Sequence, residues 1–147
     1  MNNEIQSTAE LICELTRLCV IKEEKFAASF NLSPTELKLL KLYDGAHMHK
    51  VSDLVKMLKL TPGRITHILT SLEEKKLVLR LPDETDKRNV NVKLQPKAVL
   101  FIENLHKNYK DIHQELLQSV GQEELQQIQK SLKTLINVFS KWNEQQQ

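Results

Sequence analysis

Between Val51 and Leu94 an amphipathic helix, an abrupt restart and two alternating stretches follow one another with no room for a linker, and this order constrains the fold more than any other feature. In VSDLVKMLKL the residues Leu54, Val55, Leu58 and Leu60 recur at helical spacing, and Ser52 is placed to cap the helix. A second helix begins at once. Thr61 is a good N-cap, and Pro62 suits the first helical position, where its missing N–H has no intrahelical partner to lose. Ile65, Ile68, Leu69 and Leu72 then share one face, leaving Arg64, Thr66, His67, Thr70 and Ser71 to cover the rest. Such a helix packs on its apolar side and turns hydroxyls and cations outward.

Downstream, Leu77, Leu79 and Leu81 alternate with Val78 and Arg80, and Val90, Val92 and Leu94 alternate with Asn91 and Lys93, the period of half-buried strands. Between them PDETDKRN is too polar to be core. The expected product is a β-hairpin whose tip carries Lys87 and Arg88 beside a hydroxyl-rich helix, a minor-groove probe next to a major-groove reader. The fold class is mainly α with a small β-hairpin wing: a winged helix-turn-helix.

The stretch LTPGRITHILTSLEEKKLVLR, followed by DETDKRNVNVKL, resembles the MarR family of winged helix-turn-helix transcriptional regulators in its recognition helix, its "L-E-x-x-G-L-V" exit and its "D-x-R" wing ending in "V-x-L". The order of the flanking helices extends the resemblance loosely over nearly the whole chain. By this resemblance Asp86 and Arg88 take the wing's Asp and Arg, and Thr66 and His67 the Thr-Arg pair of the recognition helix. Three departures stand out: His67 replaces the usual Arg, Lys76 stands where the family usually has Gly, and Gln95-Pro96-Lys97-Ala98 replaces Thr-x-x-Gly after the wing. The resemblance implies a repressor released by a small anionic or aromatic effector bound between the DNA-binding and dimerisation parts.

Charge is distributed to suit a polyanionic partner. The net charge is only +2, but from Lys50 to Lys97 eleven Lys and Arg stand against six Asp and Glu, inside an acidic remainder. Each phosphate such a module neutralises releases counterions. The 147 residues suit a single domain (1–147), with 33–95 as the DNA-binding module. No apolar run approaches the roughly 20 residues of a membrane span, and MNNEIQSTAE lacks the basic start and apolar run of a secretory signal. The expected location is the cytoplasm.

Segments 4–30 and 98–143 read as flanking helices. Ile5, Ala9, Ile12, Leu15, Cys19 and Phe26 recur three, four or seven apart. Ser33-Pro34-Thr35-Glu36 is a capping box with Pro at the first position, and Gly45 closes the helix that follows. Ile102, Leu105, Tyr109, Ile112 and Leu116 form one stripe; Leu125, Ile128, Leu132, Leu135, Phe139 and Trp142 form another. Gly121 breaks the two, and Glu123 and Glu124 follow in a first turn that favours them. These stripes exceed what one small core can cover, so Ile5, Ile12, Ile128, Leu132, Leu135, Phe139 and Trp142 are expected at a two-fold homodimer interface. The alternative is an intramolecular helical hairpin packed on the winged helix.

Other chemistry is sparse. Cys13 and Cys19, six apart on one helix, cannot pair with each other. Either could sense oxidant, but small buried hydrophobe is the commoner use. His47 and His49 fall in the loop after the second helix, and His106 and His113 lie seven apart on one face, too far to share a metal unaided. No Gly-rich phosphate loop, nucleophile elbow, HExxH or CxxC occurs, so neither catalysis nor a resident cofactor or metal is expected.

The expected function is therefore sequence-specific binding of double-stranded DNA by a homodimer at a pseudopalindromic operator, with half-sites roughly 34 Å apart. Arg64, Thr66, His67 and Thr70 would read bases and Arg88 the minor groove. Ser52, Ser71, Lys75, Lys87 and the backbone at Pro62 and Gly63 would hold phosphates, while Asp86 shapes the wing by pairing with a neighbouring cation. The alternatives are a metal- or thiol-responsive regulator of the same fold and a winged-helix adaptor that binds protein instead of DNA.

Overall fold

The first helix, α1 (Thr8–Ser29), opens with a capping box: Ser7 accepts from the Glu10 amide and Glu10 reaches back to the Ser7 amide. The same device opens α2 (Pro34–Lys41) with Ser33, Glu36 and Pro34, as the spacing predicts. The computed structural model describes residues 7–145, which leaves Ile5 outside the described residues. Helix α2 ends at Lys41, earlier than expected, and Gly45 (φ 76°) lies in the turn that follows.

After that turn come β1 (Met48–Lys50), α3 (Val51–Leu58), α4 (Pro62–Glu74), β2 (Val78–Pro82), β3 (Val90–Leu94) and α5 (Pro96–Glu144). The segment His47–His49, expected in a loop, thus contributes a third strand to an antiparallel sheet ordered β1-β3-β2. Lys50 ends β1 in extended conformation and is itself the N-cap of α3, without a side-chain cap bond, so Ser52 falls at the second position of the first turn, past the N-cap. Helix α3 closes on Lys59 in the left-handed region (φ 52°), and Leu60 falls beyond it. Thr61 caps α4 by accepting from the Arg64 amide, and Pro62 occupies the first turn.

Strand β2 runs in the opposite phase to that expected. Val78 pairs with Leu94 and Arg80 with Val92, and cross-strand partners share a face. Val78 and Arg80 therefore point with the buried Val92 and Leu94, while Leu79 and Leu81 are exposed. Val90 is exposed as well.

The described residues fall into two compact units that part between Ile102 and Glu103. In the first, Leu37, Leu40, Leu54, Ile65, Leu72 and Val92 are fully buried. Tyr43 joins this core with its hydroxyl donating to the Val92 carbonyl; burial pushes its phenol well above the ordinary value. The start of α5 is seated by an aromatic trio, Phe26, Phe30 and Phe101, with centroids 5.0 to 5.6 Å apart. In the second unit Gly121 interrupts α5 with φ 79° and ψ 171°, the break expected from the sequence. No helix among the described residues is long and apolar enough to cross a membrane.

Candidate nucleic-acid interface

Helix α4 buries Ile65, Ile68, Leu69 and Leu72 and leaves Pro62, Gly63, Arg64, Thr66, His67 and Thr70 exposed, which is the division its periodicity predicts. Beside it, α3, α4 and the wing surround an open cleft of about 500 Å³. Ser52, Pro62, Thr66 and Arg88 converge there from three elements, together with Lys56 and Arg80, which sequence reasoning did not single out. Lys56 stands one helical turn after Ser52 on α3, and that spacing was the signal available for it.

Two of the expected phosphate ligands point elsewhere. Ser71 Oγ donates to Glu36 Oε1 at 2.6 Å, and Lys75 Nζ lies 2.9 and 2.7 Å from Oε1 and Oε2. Glu36 is buried, and its Oε2 also accepts from the Ser33 amide at 2.7 Å. Burial pushes its carboxyl up, but hydrogen bonds from Lys75, Ser71 and Ser33 and the charge of Lys75 outweigh it, so the net displacement is below the usual carboxylate range. Ser71 and Lys75 thus pin α4 to the start of α2, because a buried carboxylate needs donors on both oxygens. A cavity of about 500 Å³ lies against this cluster, with His67 at its wall.

The wing tip is ordered by two carboxylates. Asp83 Oδ1 accepts from the Thr85 amide (2.9 Å), the Thr85 hydroxyl (2.7 Å) and the Asp86 amide (3.2 Å), and Oδ2 from Asn91 Nδ2 (3.2 Å). Lys50 Nζ stands 4.0 Å away. These donors, the Thr85 hydroxyl first, hold the Asp83 carboxyl far below its ordinary value. Asp86 accepts from the Arg88 amide at 3.0 Å and from Asn89 Nδ2 at 3.3 Å; it shapes the turn through backbone and amide N–H groups, and no ion pair to a cation holds it among the described residues. Lys87 and Arg88 keep their charged ends without an ion-pair partner among the described residues, as does Arg64 on α4.

Arg80 ties the wing to the helix. Its Nε and Nη2 donate to Glu73 Oε2 at 3.0 and 2.6 Å, its amide donates to Glu73 Oε1 at 2.8 Å, and Nη2 reaches Thr70 Oγ1 at 3.2 Å. Bonding to Arg80 lowers the Glu73 carboxyl against a smaller opposing effect of burial.

The apolar stripes expected at a dimer interface are open. Helix α1 buries only Ala27, and Leu11, Leu15 and Leu18 are about half exposed; Ile12 is half-buried. In the second unit Leu132, Ile136, Val138, Phe139 and Trp142 are exposed, with Ile128 and Leu135 half-buried. Cys13 and Cys19 are free and exposed, contrary to the expectation of burial. His106 and His113 line an open surface with Tyr109, and no group of three or more His, Cys, Asp or Glu among the described residues is arranged to hold a metal.

A surface of this kind has known counterparts. Residues 32–90 match the MarR family model. The multiple antibiotic resistance protein MarR of Salmonella typhimurium is 29% identical over 143 residues, covering 90% of this chain and 99% of that one. The crystal structure of wild-type apo MarR from E. coli superposes with a TM-score of 0.73 at 28% identity, over 90% of this chain and 98% of the other. A mutant of S. aureus MepR bound to an oligodeoxyribonucleotide shares the fold at 20% identity, with a TM-score of 0.68 over 90% of this chain and 98% of that one. By the helix pair, the wing and these likenesses together, the chain is similar to the MarR family of winged helix-turn-helix transcriptional regulators, whose family model its residues 32–90 match.

Proposed function

We propose that this protein is a ligand-responsive repressor that acts in the cytoplasm and binds a pseudopalindromic DNA operator as a homodimer. The observation that carries the reading is the convergence of Ser52, Pro62, Thr66 and Arg88 on one cleft, with Arg64 on α4 and Lys87 on the wing lacking an ion-pair partner among the described residues. Helix α4 enters a major groove, and the wing places Arg88 in the adjacent minor groove, where negative potential favours a guanidinium. Ser52, Lys56, Lys87 and the Gly63 amide hold phosphates, while Arg64, Thr66, His67 and Thr70 face bases.

The dimer reading rests on α1, a helix of 22 residues that buries only Ala27, and on the open Phe139 and Trp142 of α5. Two copies of such faces cover one another in an isologous interface. MepR is described as a transcription regulator of a multidrug efflux pump, and the relatives named above as multiple antibiotic resistance proteins; both favour a small-molecule effector for this chain. The outward chemistry of α4, cations and hydroxyls in place of apolar anchors, disfavours the adaptor.

Selection of bound duplexes from a random pool, paired with sedimentation equilibrium, tests the proposal. A symmetric enriched motif and a dimer at micromolar concentration are expected. An unenriched pool, or a monomer that binds a single half-site, overturns it.

A further inference from the structure

Thr70 sits on the exposed face of α4 with both ends of its hydroxyl chemistry constrained. Its Oγ1 lies 2.9 Å from the Thr66 carbonyl and 3.2 Å from Arg80 Nη2. A guanidinium carries five donors and no acceptor, and a carbonyl only accepts. The polarity of the chain is therefore fixed without reference to any hydrogen position: Arg80 donates to Thr70, and Thr70 donates to Thr66. A hydroxyl has one proton and two lone pairs, so one lone pair is all that Thr70 has left. Arg80 cannot readily swing away, because Glu73 holds it through Nε, Nη2 and its amide at 3.0, 2.6 and 2.8 Å. Thr66 differs: its hydroxyl donates to the Pro62 carbonyl at 2.9 Å, and no donor among the described residues reaches its oxygen.

In the major groove, adenine N6 and cytosine N4 are donors, whereas guanine N7 and O6 and thymine O4 are acceptors. We infer that Thr70 is an acceptor-only reader that selects a base bearing an amino group, adenine or cytosine, and that Arg80 and Glu73 are positioning residues that impose this polarity. Facing guanine or thymine, the remaining lone pair of Thr70 opposes another lone pair. The wing strand thus acts on base choice in the major groove through Glu73 and Arg80, besides carrying its tip to the minor groove. The inference rests on the DNA reading proposed above and adds which chemistry one of its readers accepts.

The test begins with duplexes selected by the wild-type protein, then compares Thr70→Val, Thr70→Ser, Arg80→Met and Glu73→Gln, each checked for unchanged helical content and dimer mass. At one symmetric pair of positions the wild type should prefer an amino base over a keto base by roughly tenfold, within the range of one good base contact. Thr70→Val should lose that preference and Thr70→Ser should keep it. Arg80→Met, and more weakly Glu73→Gln, should accept keto and amino bases alike there, because the freed hydroxyl turns to donate; a merely structural role would lower affinity for all sequences and leave the preference intact. Replacing the preferred adenine by purine, which lacks the 6-amino group, should weaken the wild type about tenfold and leave Thr70→Val unchanged. Retention of every wild-type base preference by Thr70→Val, or a keto base at the Thr70-sensitive position, overturns the inference. A wild type that enriches no sequence overturns the DNA reading itself, and this inference with it.

Discussion

Substituting Glu36 should cost more stability than any other charge change in the described residues. Its side chain is 4% exposed and takes donors from the Ser33 amide, Ser71 Oγ and Lys75 Nζ, all between 2.6 and 2.9 Å. Glu36→Gln preserves shape but replaces one acceptor oxygen with an NH2 that faces a donor. One buried donor then goes unsatisfied, at about 1–3 kcal/mol, and the bond to Lys75 loses its charge assistance, about 1 kcal/mol more. The expected loss is about 2–4 kcal/mol, read from urea unfolding at fixed protein concentration, since assembly shifts the midpoint. Lys75→Met should cost somewhat less, because its ammonium is partly wetted. In the double variant Glu36→Met with Lys75→Met, the loss should fall at least about 1 kcal/mol short of the sum of the single changes. The pH dependence has a definite sign. The folded carboxyl is displaced below its ordinary value of 4.5, so the stability it contributes is complete well above that pH and is lost as pH falls below it through the folded value. The gap between wild type and Glu36→Gln should therefore narrow from pH 7 to pH 3.5. A Glu36→Gln protein within 0.5 kcal/mol of wild type (roughly the scatter of a surface change), or strictly additive single changes, would refute the argument that this cluster fastens α4 to α2.

Three further outcomes are expected. Arg88→Ala should weaken operator binding by about 1–3 kcal/mol at fixed salt with little change in unfolding, because its guanidinium has no ion-pair partner among the described residues; equal affinity in a fluorescence titration would remove the wing from the interface. Phe139→Ala with Trp142→Ala, whose rings stack edge to face at 6.0 Å on an exposed stretch of α5, should raise the dimer dissociation constant and lower two-half-site affinity with it. An unchanged sedimentation profile would contradict this. Lys76→Gly should stabilise the protein by about 0.5–1 kcal/mol, since Lys76 holds φ at 59° and the roughly 1–2 kcal/mol relieved there exceeds the backbone entropy that glycine loses on folding. A lower urea midpoint for that variant would mean that packing of the Lys76 side chain outweighs its backbone strain.

Where the sequence alone determined structure, the determinants were local. Ser33 and Glu36 close a capping box three residues wide, Thr61 and Pro62 start α4, Gly121 takes the φ of 79° that interrupts α5, and Ile65, Ile68, Leu69 and Leu72 share a face because helical geometry puts them there. Most of the exposed face of α4 was legible for the same reason. Tertiary structure decided whatever depended on distant partners. Val78 and Leu79 are both apolar, so either phase of β2 satisfies alternation, and only the register with β3 and the grip of Glu73 on Arg80 turn the leucines outward. Strand β1, three residues long, exists because β3 offers it a ladder more than forty positions away, and a segment that short carries no period of its own. Ser71 and Lys75 read as phosphate ligands on a helical wheel, but they face Glu36, 35 and 39 residues earlier, because a carboxylate buried at the start of α2 must find donors across the core.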